Sequence, residues 1–207
     1  GLKFKIGIFT NLSHDHLDYH KNFNAYLKSK LYLFEKLLDK NSYIITDTEI
    51  PEYKKIKKIA LKKKLRLETI SNNKSQLNII SHKYLKGKQL IEIKYKNKNY
   101  KFQTSLIGKI QIKNILMAIL AANKSGLNFK KIIDVIKRLK PVSGRLEQIG
   151  SIKNNSKVIL DYAHTPDALQ TCLKNIKEQF KDKKIVIVFG CGGNRDQSKR
   201  SIMGQVV

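Results

Sequence analysis

Apolar and polar positions alternate over the first ten residues. Phe4, Ile6 and Ile8 are separated by Lys5 and Gly7 and lead into Phe9 and Thr10. That period of two predicts a strand ending near Thr10. The period then lengthens. Phe23, Tyr26, Leu27, Leu31, Phe34, Leu37 and Leu38 form one helical stripe over Phe23–Leu38. Ser42–Thr46 predicts a short strand, 51–64 a helix with Pro51 in its first turn, and Leu65–Ile70 another strand. Leu90–Tyr95 and Tyr100–Thr104 alternate around Lys96-Asn97-Lys98-Asn99, which predicts a hairpin. Ile112–Lys124 reads as an Ala-rich helix closed by Gly126. Phe129–Leu139 reads as a second helix, capped by Asn128 and stopped by Pro141. Lys157–Leu160 predicts a buried strand. Thr165-Pro166-Asp167 places a capping hydroxyl, a proline and an acid where a helix start takes them. Ile185–Phe189 is apolar throughout, as in a parallel sheet covered on both faces.

Strands alternating with helices predict an α/β fold. Pro141-Val142-Ser143-Gly144 interrupts the alternation and is the candidate boundary between two domains, 1–141 and 142–207. No internal repeat or low-complexity linker is evident.

Composition narrows the classes. With 207 residues, 41% of them hydrophobic, the chain can bury a core. No apolar run approaches the roughly 20 residues that span a bilayer. The opening Gly1-Leu2-Lys3-Phe4-Lys5 lacks the apolar stretch of a signal peptide and an initiator Met, so the natural start is expected upstream. Cys172 and Cys191 form no disulfide framework, which fits a reducing cytoplasm. The net charge of +26 points toward nucleic acid. Against that, the excess is almost all lysine and is spread over every segment, and nucleic-acid-binding signatures are absent. A solvated surface is the better reading, with a basic nucleic-acid-binding protein as the non-enzyme alternative.

Three clusters could carry chemistry. Asn11–His20 holds three histidines and two aspartates just past a strand, where ligands bind in open α/β sheets. It reads equally as a metal site or as a polar loop whose histidines cap backbone groups. Asp161-Tyr162-Ala163-His164-Thr165-Pro166-Asp167 puts an acid at a strand end beside a helix start. Such an acid can take a ribose hydroxyl and such a helix can face a phosphate; a well-capped helix alone also explains it. Gly190-Cys191-Gly192-Gly193-Asn194-Arg195-Asp196 lets backbone approach a ligand, with Lys199 and Arg200 following, although glycine-rich turns are commonly just turns. Cys191 has no paired base and makes a poor nucleophile candidate.

Taken in order, the segments resemble the Mur ligase family, in its UDP-N-acetylmuramoyl-tripeptide synthetase branch. FTNLS with DHLDYH, Tyr26–Phe34, Leu106-Ile107-Gly108 with Asn114 and Ala118, and Gly144-Arg145 with Glu147 are similar to that branch's motifs. DYAHTPDAL at Asp161–Leu169 and FGCGGNRD with KR and MG at Phe189–Gly204 are the most specific. The resemblance implies part of a central ATPase domain followed by the start of a Rossmann-like C-terminal domain. It implies ATP-dependent addition of a diamino acid to UDP-N-acetylmuramoyl-L-alanyl-D-glutamate through an acyl phosphate. Meso-diaminopimelate is favoured over L-lysine on background frequency alone. ATP and Mg²⁺ are the implied cofactors, and no nucleic acid, no membrane and a monomer are expected. His16 matches a Mg²⁺-binding histidine and Lys30 a carboxylated lysine, whose carbamate would replace a repelling ammonium with oxygen ligands. Asn114 would contact adenine, Asp161 the ribose and Arg145 the phosphates. His164 and Arg195 would contribute at the nucleotide or acceptor site, and Lys30, His16 and Arg145 form the implied catalytic set.

The chain departs from the pattern in places. Ser143 stands where proline precedes the glycine, Ile110 and Gln111 replace phenylalanine and asparagine, and His14 replaces arginine. The phosphate-binding GTNGKTT loop and a metal-binding glutamate are expected before residue 1, and the amino-acid-reading DNPR-type motif after residue 207. The polypeptide as it stands is therefore not expected to be catalytically competent. A folylpolyglutamate or cyanophycin synthetase relative is the alternative ligase.

Overall fold

The computed structural model describes residues 2–12, 20, 22–191 and 198–207. A six-stranded sheet runs in sequence order: β1 Phe4–Phe9, β2 Leu38–Asp47, β3 Arg66–Ser71, β4 Leu77–Leu85, β5 Lys88–Tyr95 and β6 Lys98–Thr104. The first four strands are parallel and the last three antiparallel, sharing β4. This is the expected α/β architecture.

Helices α1 Phe23–Tyr32 and α2 Tyr53–Lys63 cover one face; α3 Lys109–Lys124 and α4 Phe129–Val135 cover the other. Adjacent residues of β2 divide between them, because strand side chains alternate in direction. Ile44 packs with Leu27, Leu31, Phe34 and Ile56, whereas Ile45 packs with Ile70, Leu116 and Leu120. The α1 stripe emerges as predicted, but its last turn, Leu33–Leu37, widens to a π-helix and Leu38 already belongs to β2. That turn drives Phe34 against β1. A Cβ on Gly7 would lie 2.8 Å from the Phe34 ring, so the position needs a residue without one.

Several expected boundaries move. β2 is twice the predicted strand and α2 starts two residues past Pro51, with Glu52 preceding it. The helix after Asn128 relaxes into a 3₁₀ turn at Ile136–Arg138. The hairpin turns on Lys96-Asn97 alone, both left-handed, with Tyr95 opposite Lys98. β4 and its turn at Lys86-Gly87 have no counterpart among the predicted elements. β3 and β4 pair only at Ile70–Leu77 and Ser71–Asn78. Upstream of that short ladder the Gln76 amide stands in for a strand, accepting from Thr69 N at 2.9 Å and donating to Leu67 O at 3.2 Å.

The remaining elements are sparser. β7 Glu147–Ile152 pairs antiparallel with β8 Ser156–Leu160, and α5 Pro166–Gln179 and α6 Ser198–Val206 follow. Two expectations of buried strands fail here. Lys157–Leu160 is a strand, but among the described residues it pairs only with β7, and none of its residues is buried. Ile185–Phe189 forms no strand, and Val186 and Val188 are 82% and 97% exposed. An apolar run becomes a buried strand only where neighbours supply hydrogen bonds and covering side chains, and neither sheet includes it among the described residues. No described helix is long and apolar enough to cross a membrane.

Candidate nucleotide and metal site

Thr165 caps α5 as its sequence predicts, accepting from Ala168 N at 3.3 Å, with Pro166 opening the helix and Asp167 in its first turn. Just upstream, Asp161 holds two backbone segments together. Its carboxylate accepts from Leu146 N at 2.8 Å and Ala163 N at 2.9 Å. Gly144 is left-handed (φ +68°), its N–H donates to Glu147 at 2.9 Å, and its carbonyl accepts from Tyr162 N at 2.8 Å. The Gly144–Glu147 turn is thereby fixed against the end of β8.

This framing determines where the exposed groups stand. The Arg145 guanidinium lies over the Tyr162 ring, 5.2 Å from its centroid. That contact orients a planar cation without neutralising it. His164 packs edge-on to Tyr162 at 5.1 Å, and its Nδ1 lies 3.0 Å from the Tyr162 carbonyl. Gln111 of α3 donates to the Arg145 carbonyl at 3.3 Å. Asn114 is exposed and three residues further along α3, hence on the same helix face as Gln111. Arg145, Asp161 and His164 thus form one patch, flanked by the α3 face that carries Asn114. The donor set fits a nucleotide: a carboxylate with lone pairs beyond its two amide contacts, an exposed guanidinium, and an exposed amide.

Lys30 forms a second group. It sits in the last turn of α1 with its ammonium 5.0 Å from the Tyr26 centroid, and His20 stacks on the same ring at 4.8 Å. His16 and Arg195 lie outside the described residues. Among the described residues no three His, Cys, Asp or Glu side chains converge as metal ligands. Lys30 fits Mg²⁺ only as a carbamate, because an ammonium repels the ion and offers no oxygen.

Neither cysteine is poised as a nucleophile. Burial, with the Asp161 charge adding, pushes the Cys172 thiol up to about 11. Cys191 contacts the Met203 thioether at 3.5 Å.

A third group is not anticipated from the sequence. Asp47, 1% exposed at the end of β2, pairs with Lys113 of α3, which also reaches Glu49 at 3.1 Å. Glu49 accepts from the Asn72 backbone and side chain. Burial would lower the Lys113 ammonium, but the two carboxylates hold it above the usual lysine range. Burial would likewise raise Glu49, but Asn72 and Lys113 hold it below the usual carboxylate range. An acid ending a buried strand was available as a signal, since Asp161 is read in that way; its partner 66 residues away was not.

Comparison with known proteins agrees along the whole chain. Residues 1–122 match the Mur ligase middle domain, and residues 144–207 match the Mur ligase, glutamate ligase domain. The chain is 41% identical over 209 residues to the UDP-N-acetylmuramoyl-L-alanyl-D-glutamate–2,6-diaminopimelate ligase of Rickettsia conorii, covering 99% of this chain and 42% of that protein. The same-named ligase of a Chelativorans species is 36% identical, again with 42% of its length covered. The chain thus spans about 42% of the length of these relatives. A solved structure of a ligase of that name superposes with a TM-score of 0.71 at 27% identity, covering 98% of this chain and 41% of that one. The UDP-N-acetylmuramate-alanine ligase of Thermotoga maritima shares the fold, with a TM-score of 0.73 at 21% identity and 98% of this chain covered, 43% of its own. Two family domains matched in order, over most of the sequence, establish that this chain belongs to the Mur ligase family.

Proposed function

We propose that the protein carrying this chain is a cytoplasmic, monomeric, ATP- and Mg²⁺-dependent ligase. It adds a diamino acid, meso-diaminopimelate rather than L-lysine, to UDP-N-acetylmuramoyl-L-alanyl-D-glutamate in peptidoglycan precursor synthesis. The observation that carries this reading is the 41% identity, over 99% of the chain, to a ligase named for that reaction. Residues 1–141 would belong to the central ATP-binding domain and 142–207 to the C-terminal domain.

In this reading an acceptor carboxylate oxygen bonds to the γ-phosphorus as ADP leaves. The amine nitrogen then bonds to the activated carbonyl carbon, its C–O bond to phosphate breaks, and the amine loses a proton. Asp161 would accept from a ribose hydroxyl with the lone pairs that Leu146 and Ala163 leave available. Arg145, oriented on Tyr162, would neutralise phosphate charge, and Asn114 would read the adenine edge. His164 and Arg195 would act at the nucleotide or the acceptor. Bound Mg²⁺ would screen the phosphate oxygens. His16 and carboxylated Lys30 would hold it.

The test is ADP release by the full-length enzyme, which should require the UDP-linked dipeptide and a diamino acid together. Turnover with glutamate on a folate substrate instead would transfer the assignment to the folylpolyglutamate branch. Lys30→Ala should lower kcat by more than about 100-fold, and added short carboxylates should partly restore it. Wild-type turnover without rescue would exclude the carbamate.

A further inference from the structure

Helix α3 begins without a cap of its own. Gly108 precedes it with φ +90° and has no side chain to satisfy the first-turn amides. Two amides at this start find partners on α5, while Gln111 N donates to the Gly108 carbonyl at 3.1 Å. Ile110 N donates to Asn175 Oδ1 at 3.3 Å, and Gly108 N donates to Gln179 Oε1 at 2.9 Å. Both amide side chains are buried, and both are satisfied at their other end. Asn175 donates to Thr171 O at 2.7 Å, and Gln179 donates to Gly87 O, in the β4–β5 turn, at 2.9 Å. From the sheet side Gln89, fully buried, donates to the Leu106 and Gly108 carbonyls at 2.7 and 3.1 Å. Close approach is built in, because a Cβ on Gly108 would lie 2.9 Å from Asn175 Oδ1 and from Leu146 Cδ1. Leu146 is the residue whose N–H binds Asp161.

We propose that Asn175 and Gln179 are positioning residues. They cap α3 from α5 and so fix the helix face bearing Asn114 and Gln111 against the Arg145–Asp161 patch. A buried amide satisfied at both ends tolerates little displacement, because shifting the helix by one ångström leaves a donor and an acceptor unpaired in the interior. The positioning consequence rests on the nucleotide reading above; the cap itself does not.

The experiment measures amide hydrogen exchange and ATP kinetics in the full-length protein. Asn175→Ala should speed exchange at Ile110, and Gln179→Ala at Gly108, by about 5-fold or more each. Amides in the β1–β3 core should keep their rates. Each alanine variant should raise the KM for ATP several-fold with a smaller change in kcat. Asn175→Asp and Gln179→Glu keep the oxygen that accepts from the α3 start but lose the N–H that donates to Thr171 O or Gly87 O, so they should restore exchange protection and the KM only in part. Unchanged exchange at Gly108 and Ile110 would overturn the cap. Local acceleration with an unmoved KM would overturn the positioning role. Failure of the nucleotide reading appears elsewhere, as ATP binding indifferent to Asp161→Ala and Asn114→Ala.

Discussion

The two halves of this molecule hold themselves together differently. The sheet with α1 to α4 buries apolar side chains on both faces, and Ile44 and Ile45 of β2, fully buried, belong to two separate cores. Beyond Pro141, the buried apolar side chains among the described residues are Leu146, Leu169 and Met203. The second half is placed instead by polar contacts: the Asp161 carboxylate on two amides, and Asn175 and Gln179 on the start of α3. Apolar burial is non-directional and gives stability, whereas hydrogen bonds fix distance and angle. Arg145, Asp161 and His164, read as nucleotide ligands, stand where the second mode dominates, whereas Asn114 rides on the apolar-packed α3.

Substitutions should separate the two modes. In the first half, Ile45→Ala should cost about 3–4 kcal/mol in denaturant unfolding, since the site is closed on both sides. A loss under 1 kcal/mol would mean that the sheet is not packed as described. Lys113→Met should cost about 2–3 kcal/mol, because it strands the Asp47 carboxylate in the interior; partial exposure of Lys113 keeps the figure below a fully buried pair. Changing Asp47→Asn as well should recover much of it.

The same cluster sets a pH signature. Glu49 is held below its usual value, so its contribution is full above about pH 4.3 and is lost as pH falls through its folded value. Lys113 is held above its usual value, so its contribution is full below about pH 10.4 and is lost as pH rises through its folded value. The contribution of this pair to wild-type stability should therefore be level between these limits. Lys113→Met should flatten the alkaline fall, and an unchanged alkaline limb would disprove the pairing.

In the second half the largest effect should fall on function. Asp161→Asn should raise the KM for ATP by roughly 10- to 100-fold in the full-length enzyme, for loss of about 1.5–3 kcal/mol of charge-assisted hydrogen bonding. An unmoved KM would leave Asp161 as a fastener of the Leu146 and Ala163 amides. The smallest effect belongs to Val188→Ala, which should change the stability of residues 1–207 by less than about 0.5 kcal/mol, since the side chain is almost fully exposed. A cost near that of Ile45→Ala would show that Ile185–Phe189 is covered after all.

Local chemistry made much of this legible in advance. Periodicity located α1, α3 and the β5–β6 hairpin because each pattern reports a face already chosen by the neighbouring residues. Asn128 and Thr165 announced their helices because a cap binds an amide three residues away. Asp161 was visible as an acid after an apolar strand, whereas Arg145 was singled out only by the family resemblance. Lys113, Asn175 and Gln179 were not, because each resembles an ordinary polar residue on a helix until its partner, 65 to 92 residues away, is in place. β4 escaped because its alternation is weak and its burial comes from a short ladder and a hairpin. Ile185–Phe189 shows the converse, an apolar run that sequence marks for a sheet and that tertiary structure leaves exposed. The sequence by itself determined period, caps, turns and the residue types available for chemistry, all of which depend on contacts within a few positions. Which strands acquire neighbours, which polar side chains become buried, and which groups converge are non-local, so only the tertiary structure decided them.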